Sequence, residues 1–386
     1  MNFEYLIPVD DALLVYAKMQ NNQTLGQSIA IYTTPDEYPD LSKVKIAIFG
    51  VEEGRGAVGN HGTGTDLSEV RRQLYGLYPG NWPIRVADLG NIKEGNTVED
   101  SYFAVLELVT LRVNQNIIGV IIGGGQDMTY ANYRAYDNLE QSVNLVCVDN
   151  KLDIVSIDDD LTSQSYLSKI VMNRPNNLFN FCNIGYQTFF NSQDEIALIE
   201  SLFFEAYRIG EVKKSVAMVE PILRDADIVS IDVSAINNAV APGNKNATPN
   251  GFNGMDSCTI ARYAGISDKV SSFGIYEYNP TCDKKAQTAQ LIAQKMWYFI
   301  EGVNYRANDY PFGSMSNYKK YIVPIEDHVL NFYKSNKSGR WWMEISISKD
   351  NKFKSHALIP CTYQDYLSAS NQEIPDRWIR TLKKIV

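Results

Sequence analysis

Residues 228 to 254 decide the fold. They read Ile228-Val229-Ser230-Ile231-Asp232-Val233-Ser234, then Ala241-Pro242-Gly243 and Gly251-Phe252-Asn253-Gly254. An apolar run with an acid near its end reads as a buried parallel strand delivering side chains to a crevice. The Pro-, Gly- and Asn-rich segment after it can continue neither strand nor helix, so it reads as a loop over that crevice. Two other runs end in the same way, Ile121-Ile122-Gly123-Gly124-Gly125-Gln126-Asp127 and Leu145-Val146-Cys147-Val148-Asp149-Asn150-Lys151-Leu152-Asp153. Their convergence predicts the site.

Outward from these runs, strands are expected near 44–51, 178–184 and 272–278. Helices are expected from about 66 and near 99–114, 129–140, 193–219, 254–264 and 284–302. Strand alternating with helix over this length predicts a three-layer α/β/α sandwich with a mainly parallel sheet, spanning 44–304. Residues 1–43 read as an N-terminal extension and 305–386 as a small α+β add-on packed on the main domain. Within the add-on, a short helix is expected around 325–335, strands at 341–347 and 356–359, and a terminal helix near 375–385. A hairpin signal, Lys349-Asp350-Asn351-Lys352, lies between those two strands. The aromatics Trp341, Trp342, Tyr363, Tyr366 and Trp378 are expected to pack against the main sheet, not to form a ligand box.

The 386 residues carry a formal charge of −9, which argues against nucleic acid or an anionic membrane as a primary partner. No run is long enough to span a bilayer, and the first residues lack a signal-peptide layout. A cytoplasmic protein is expected. Five dispersed cysteines without C-x-x-C spacing read as reduced thiols. The three histidines, His61, His328 and His356, all fall outside the strand-end motifs.

Gly123-Gly124-Gly125-Gln126-Asp127 resembles the Gly-Gly-Gly-His-Asp motif of the arginase, agmatinase and formimidoylglutamase family. Asp149-Asn150-Lys151-Leu152-Asp153 resembles its Asp-Ala-His-x-Asp. Ser230-Ile231-Asp232-Val233-Ser234 with Ala241-Pro242-Gly243 is similar to its Ser-x-Asp-x-Asp and Ala-Pro-Gly loop. Glu277 resembles the glutamate that meets the substrate's amidine or guanidine, and the loop from 50 to 62 looks most like the formimidoylglutamase branch. The resemblance implies an arginase-like fold. It also implies two manganese ions held by two histidines and four aspartates, whose bridging hydroxide attacks an amidine carbon.

Carried over position by position, the ligands become Gln126, Asp149, Lys151, Asp153, Asp232 and Ser234, so three carboxylates remain and both histidines are gone. A lysine ammonium has no lone pair and repels a cation. Two functions therefore stay in view. One is a pseudoenzyme that keeps the scaffold for binding or assembly, with no cofactor expected and with a small amidine or guanidine, or a further copy of the chain, as partner. The other is a working hydrolase of a linear amidine, with a single manganese on Asp149, Asp153 and Asp232. Lys151 either fills the place of a lost metal in a buried ion cluster or swings out to solvent. In the first case Lys151→Met would cost about 3–5 kcal/mol.

Ser163 and Ser165 fall where the family places substrate contacts. Asp158-Asp159-Asp160 reads as a solvated loop before a calcium site, and His61 as a surface residue before a pocket-mouth one. Glu277 is read equally as a cation-binding residue or as a member of a structural ion pair. The glycine-rich loop at 50–62 fits no phosphate-binding spacing.

Overall fold

The computed structural model describes residues 5–139, 141–154, 160–311, 315–325, 328–346 and 356–385. The chain enters through β1 (Leu6–Ile7), α1 (Asp11–Met19), α2 (Leu25–Ser28) and β2 (Ala30–Ile31). Alternation then begins with β3 (Val44–Val51), α3 (Ser68–Tyr75), β4 (Arg85–Ile92), α4 (Val98–Asn114), β5 (Ile118–Ile122) and α5 (Met128–Arg134). It continues through β6 (Val143–Val148), α6 (Tyr166–Met172), β7 (Leu178–Tyr186), α7 (Gln193–Ser201), β8 (Glu205–Arg208), α8 (Ile209–Lys214) and α9 (Glu220–Asp225). The last units of this part are β9 (Ile228–Asp232), α10 (Gly254–Gly265), β10 (Ser272–Tyr276) and α11 (Gln287–Asn304).

The strands form one sheet in the order β1-β4-β3-β5-β10-β9-β6-β7-β8, with β2 beside β4. Every pairing is parallel except β1 with β4. Side chains alternate across the sheet, as the strand period demands. Ile46 and Ile48 of β3 enter one apolar core, with Val229 and Ile231 of β9 and the helices α10 and α11. Ala47 and Phe49 enter the other, under Leu108 of α4 and Leu167 of α6. That is the expected three-layer arrangement. Central strands β5, β9 and β10 are buried on both faces, which is why they read as unbroken apolar runs.

Three expectations need correction. The span 193–219 is not one helix. A capping box between Ser192 and Glu195 starts α7, but Phe203 takes a left-handed φ of 55° and breaks it, and β8 then adds an edge strand. Strand β4 was missed because Ala87, Asp88, Gly90 and Asn91 dilute its apolar pattern. In the C-terminal part, 325–335 is not helical. That part is a four-stranded antiparallel sheet of β11 (Tyr318–Ile325), β12 (His328–Ser335), β13 (Trp341–Ser346) and β14 (His356–Cys361), followed by α12 (Tyr363–Ser370) and α13 (Asp376–Ile385).

The C-terminal aromatics are also placed differently from expectation. Trp341, Tyr366 and Trp378 join a third core of their own, with Trp341 stacked on Tyr366 at 4.9 Å. Only Trp342 faces the main domain, its ring 4.5 Å from the Arg224 guanidinium of α9. Arg224 Nη2 also donates to the Cys361 carbonyl at 3.0 Å. The hairpin signal at 349–352 lies outside the described residues. Among the described residues no helix is long and apolar enough to cross a membrane.

Candidate functional site

Strand order brings the carboxyl ends of β5, β10, β9 and β6 side by side, so the three motifs meet there. After β5 the chain must turn sharply, and Gly123 and Gly124 do so at φ values of 79° and 77°. A Cβ on Gly123 would lie 2.7 Å from Leu67, so the turn needs glycine on space as well as on φ. Gln126, Asp127, Asp149, Asp153, Asp232 and Glu277 all end up buried.

Burial pushes the carboxyl of Asp149 well above the usual range, and the facing Asp153 and Asp232 push it further. Asp153 is raised to about 7, and Asp232 to about 6, in each case chiefly by burial. Asp149 Oδ1 accepts from the Lys151 N–H at 3.0 Å, and Asp232 Oδ1 from the Ser234 N–H at 2.6 Å. Gln126 turns its amide away, with Nε2 donating to Ser230 Oγ at 2.9 Å. Among the described residues the buried acceptors Gln126 Oε1, Asp127 Oδ1 and Asn150 Oδ1 have no hydrogen-bond donor, while the Asp149 carboxyl shares a hydrogen bond with Asp153. The site is short of donors, and the charges of Lys151 and Lys295 offset its acids only in part.

The Lys151 charge acts on Asp153 and Asp232, lowering both carboxyls, but not as a contact ion cluster. The Lys151 side chain is half-buried, and among the described residues it makes no ion pair. Its backbone is held in place, with Asn183 Nδ2 donating to the Lys151 carbonyl at 2.7 Å and the Lys151 N–H donating to Asp149. Lys151→Met should therefore lower the free energy of unfolding in urea by only about 1 kcal/mol, because the ammonium is half-buried and makes no contact ion pair. A loss of several kcal/mol would bring the buried cluster back.

Glu277 takes a left-handed φ of 65°, uncommon for a residue with a side chain. Its Oε1 accepts from the Gln126 N–H at 3.0 Å, and its Oε2 from Asn60 Nδ2 at 2.8 Å. Burial raises its carboxyl well above the usual range, with Asp232 adding to the effect and Asn60 opposing it. No ion pair involves Glu277 among the described residues, so its environment is a hydrogen-bonded one.

Asn60 is the residue that sequence reasoning missed. It is wholly buried, donates also to the Glu277 carbonyl at 2.9 Å, and accepts at Oδ1 from the Lys245 N–H and Asn279 Nδ2, both at 3.0 Å. It thereby laces the glycine-rich loop to the loop after β9 and to the end of β10. Its setting, Gly59-Asn60-His61-Gly62, marked a loop but not a buried hub. Lys295 was missed as well. It lies on the apolar stripe of α11 between Ile292 and Phe299, fully buried, with no hydrogen-bond partner at Nζ among the described residues.

The remaining sequence candidates are placed as follows. Ser163 accepts from the Val58 N–H at Oγ, and Ser165 closes the turn from 160 to 165 onto the Asp160 carbonyl, so both hold loops. His61 is exposed and lines a recess with Arg55 and Lys93. Asp158 and Asp159 lie outside the described residues, and Asp160 is exposed.

Comparison with known proteins matches residues 44–301 to the arginase family. The chain belongs to that family. Formimidoylglutamases of Staphylococcus aureus are similar to it, at 24% identity over 288 residues in strain MSSA476, covering 68% of this chain and 90% of the relative. In strain MRSA252 the identity is 25% over 289 residues, with the same coverage. Among solved structures, the Trypanosoma cruzi formiminoglutamase with manganese superposes at a TM-score of 0.64 and 18% identity, over 70% of this chain and 97% of that one. The Bacillus subtilis formimidoylglutamase gives 0.63 and 17%, over 71% and 90%. These superpositions establish the arginase-like fold.

The residues at the family's metal positions do not fit a pair of manganese ions. Among the described residues, no three of His, Cys, Asp and Glu come together in a way that could hold a metal. A glutamine, a lysine and a serine are weak or impossible ligands where the family has two histidines and an aspartate.

Proposed function

We propose that this member of the arginase family has given up two-metal hydrolysis and keeps the crevice for binding or assembly. Lys151 carries this reading. It stands between Asp149 and Asp153 at a position where the resemblance calls for a histidine, and its ammonium can only repel a divalent cation there. A small amidine or guanidine suits what remains, because its N–H groups would reach acceptors that now lack donors.

A second reading rests on the three acids. Asp153 and Asp232 raise the buried Asp149 carboxyl, and a single cation would relieve that repulsion if the three acids, which do not stand as a ready metal site, closed on it. The chain would then act as a formimidoylglutamase-like hydrolase of a linear amidine.

Calorimetric titration with manganese separates the two. The wild type should not bind in the micromolar range, and should not turn over formimidoylglutamate with manganese present. The triple change Gln126→His, Lys151→His, Ser234→Asp should create manganese binding and raise the melting temperature through preferential binding to the native state. Tight binding of one ion by the wild type moves the assignment to the hydrolase. Tight binding of two discards the pseudoenzyme reading.

A further inference from the structure

The outer flank of the sheet, away from the strand-end crevice, holds a recess of about 270 Å³ between α7, β8 and α13. Its floor is apolar, built from Ile199, Phe204 and Ala206, with the Tyr186 ring as one wall. Phe204 is braced from behind by an edge-on contact with Phe181 at 5.8 Å, so the floor is part of the packed core and not a loose surface. The recess exists because α7 breaks at Phe203 and the chain doubles back into a strand of four residues, leaving a gap that α13 overhangs without filling.

Two cations of α13 stand at the rim, Arg380 and Lys383, three residues apart and so on one face of the helix. Both are exposed, and among the described residues neither makes a hydrogen bond or an ion pair. Lys383 Nζ lies 6.0 Å from the Phe203 ring, which keeps it over the opening. Among the described residues the one acid lining the recess is Glu200. Two cations against one carboxylate leave a single positive charge at the mouth. A guanidinium fork matches a carboxylate in two parallel hydrogen bonds. The floor offers nothing to a hydrated inorganic ion but gains from covering an apolar body. At roughly 30 Å³ per water, the volume is that of about nine waters, which limits the ligand to a small molecule.

We propose that this recess is a binding site for a small monocarboxylate with an apolar body, its carboxylate between Arg380 and Lys383 and its hydrocarbon part on Phe204 and Ala206. It shares no residue with the crevice of Asp149, Asp153 and Asp232, so it stands or falls apart from the reading of that crevice.

The probe is 3-phenylpropionate, with 3-phenylpropionamide as its uncharged counterpart, titrated into the full chain by ligand-observed NMR and calorimetry. The acid should bind saturably, and the amide about tenfold more weakly, the value of one good ion pair. The double variant Arg380→Gln, Lys383→Gln should lose a similar factor. Glu200→Gln should tighten binding, because it removes the opposing charge. All three positions are exposed, and circular dichroism melts of each variant check that the fold is retained. Equal binding of acid and amide, indifference to the double variant, weaker binding by Glu200→Gln, or no saturation in the millimolar range each overturns the proposal.

Discussion

Asn60→Ala should lower the free energy of unfolding by about 3–5 kcal/mol, because several buried polar groups lose their partner at once. The Glu277 carboxyl loses the donor at Oε2, while the Lys245 N–H and Asn279 Nδ2 both lose the acceptor they share. The Glu277 carboxyl bears most of the loss, since it is buried with Asn60, whereas Asn279 Nδ2 keeps the His61 carbonyl at 2.9 Å and Lys245 is exposed. Urea unfolding at pH 7 measures the loss. The nearly isosteric Asn60→Asp sharpens the test. It sets a second carboxyl against Glu277, whose own carboxyl is already raised by burial, so its cost should be at least as large at pH 7. That cost should shrink as the pH falls and both acids keep their protons. A loss below about 1 kcal/mol for Asn60→Ala would mean that water replaces the amide and the loop is not laced as described.

Lys295→Met should act in the opposite direction and stabilise the fold by about 3 kcal/mol at pH 7. Burial pushes the Lys295 ammonium from 10.5 down to about 8, although Cys258 and Asp232 act to raise it. The sign follows from proton counting. Between pH 8 and 10.5 the unfolded chain binds more protons at this site than the native one, so wild-type stability should rise with pH across that window. Below pH 8 the full penalty is present, and the shift corresponds to about 3 kcal/mol. Methionine has nearly the same shape and no charge, so the variant should be more stable at pH 7 and lose this rise. Denaturation midpoints of both proteins at pH 7 and pH 10 decide it. A variant that is less stable than wild type at pH 7 would show that Nζ meets a partner in solution.

How much of this could be read beforehand follows from what a linear pattern encodes. Strands buried on both faces announce themselves as apolar runs, so β3, β5, β6, β9 and β10 were legible, and with them the convergence of Gln126, Asp149, Asp153 and Asp232. Strand β4 was not, because Asp88 is buried in it only through its pairing with Arg71 of α3, a partner that no local pattern announces. The same limit hid Asn60, whose four contacts reach residues far along the chain. Lys151 could be assigned to a ligand position but not to a direction. Two hydrogen bonds, one of them from Asn183 on the neighbouring strand, hold its backbone, and neither could be read from the local pattern. The C-terminal hairpin was mistaken for a helix because β12 carries Leu330 and Phe332 inward and Lys334 on the same face, a mixed signal over a short span.

The contact between Arg224 and Trp342 has a bearing on how this chain could change over generations. Arg224 belongs to α9, which leads within a few residues into β9, the strand that ends at Asp232. The C-terminal sheet lies beyond the matched residues 44–301, yet it grips the body there, through an arginine that is 2% exposed between an indole ring and the Cys361 carbonyl. Loss of that sheet would uncover the guanidinium and leave it only its ion pair with Glu220 in α9, at 3.3 Å. A change in the appendage at this contact is therefore felt by the helix that leads into the strand carrying Asp232. The inheritance of the appendage is coupled to that of the crevice, whatever the crevice now does.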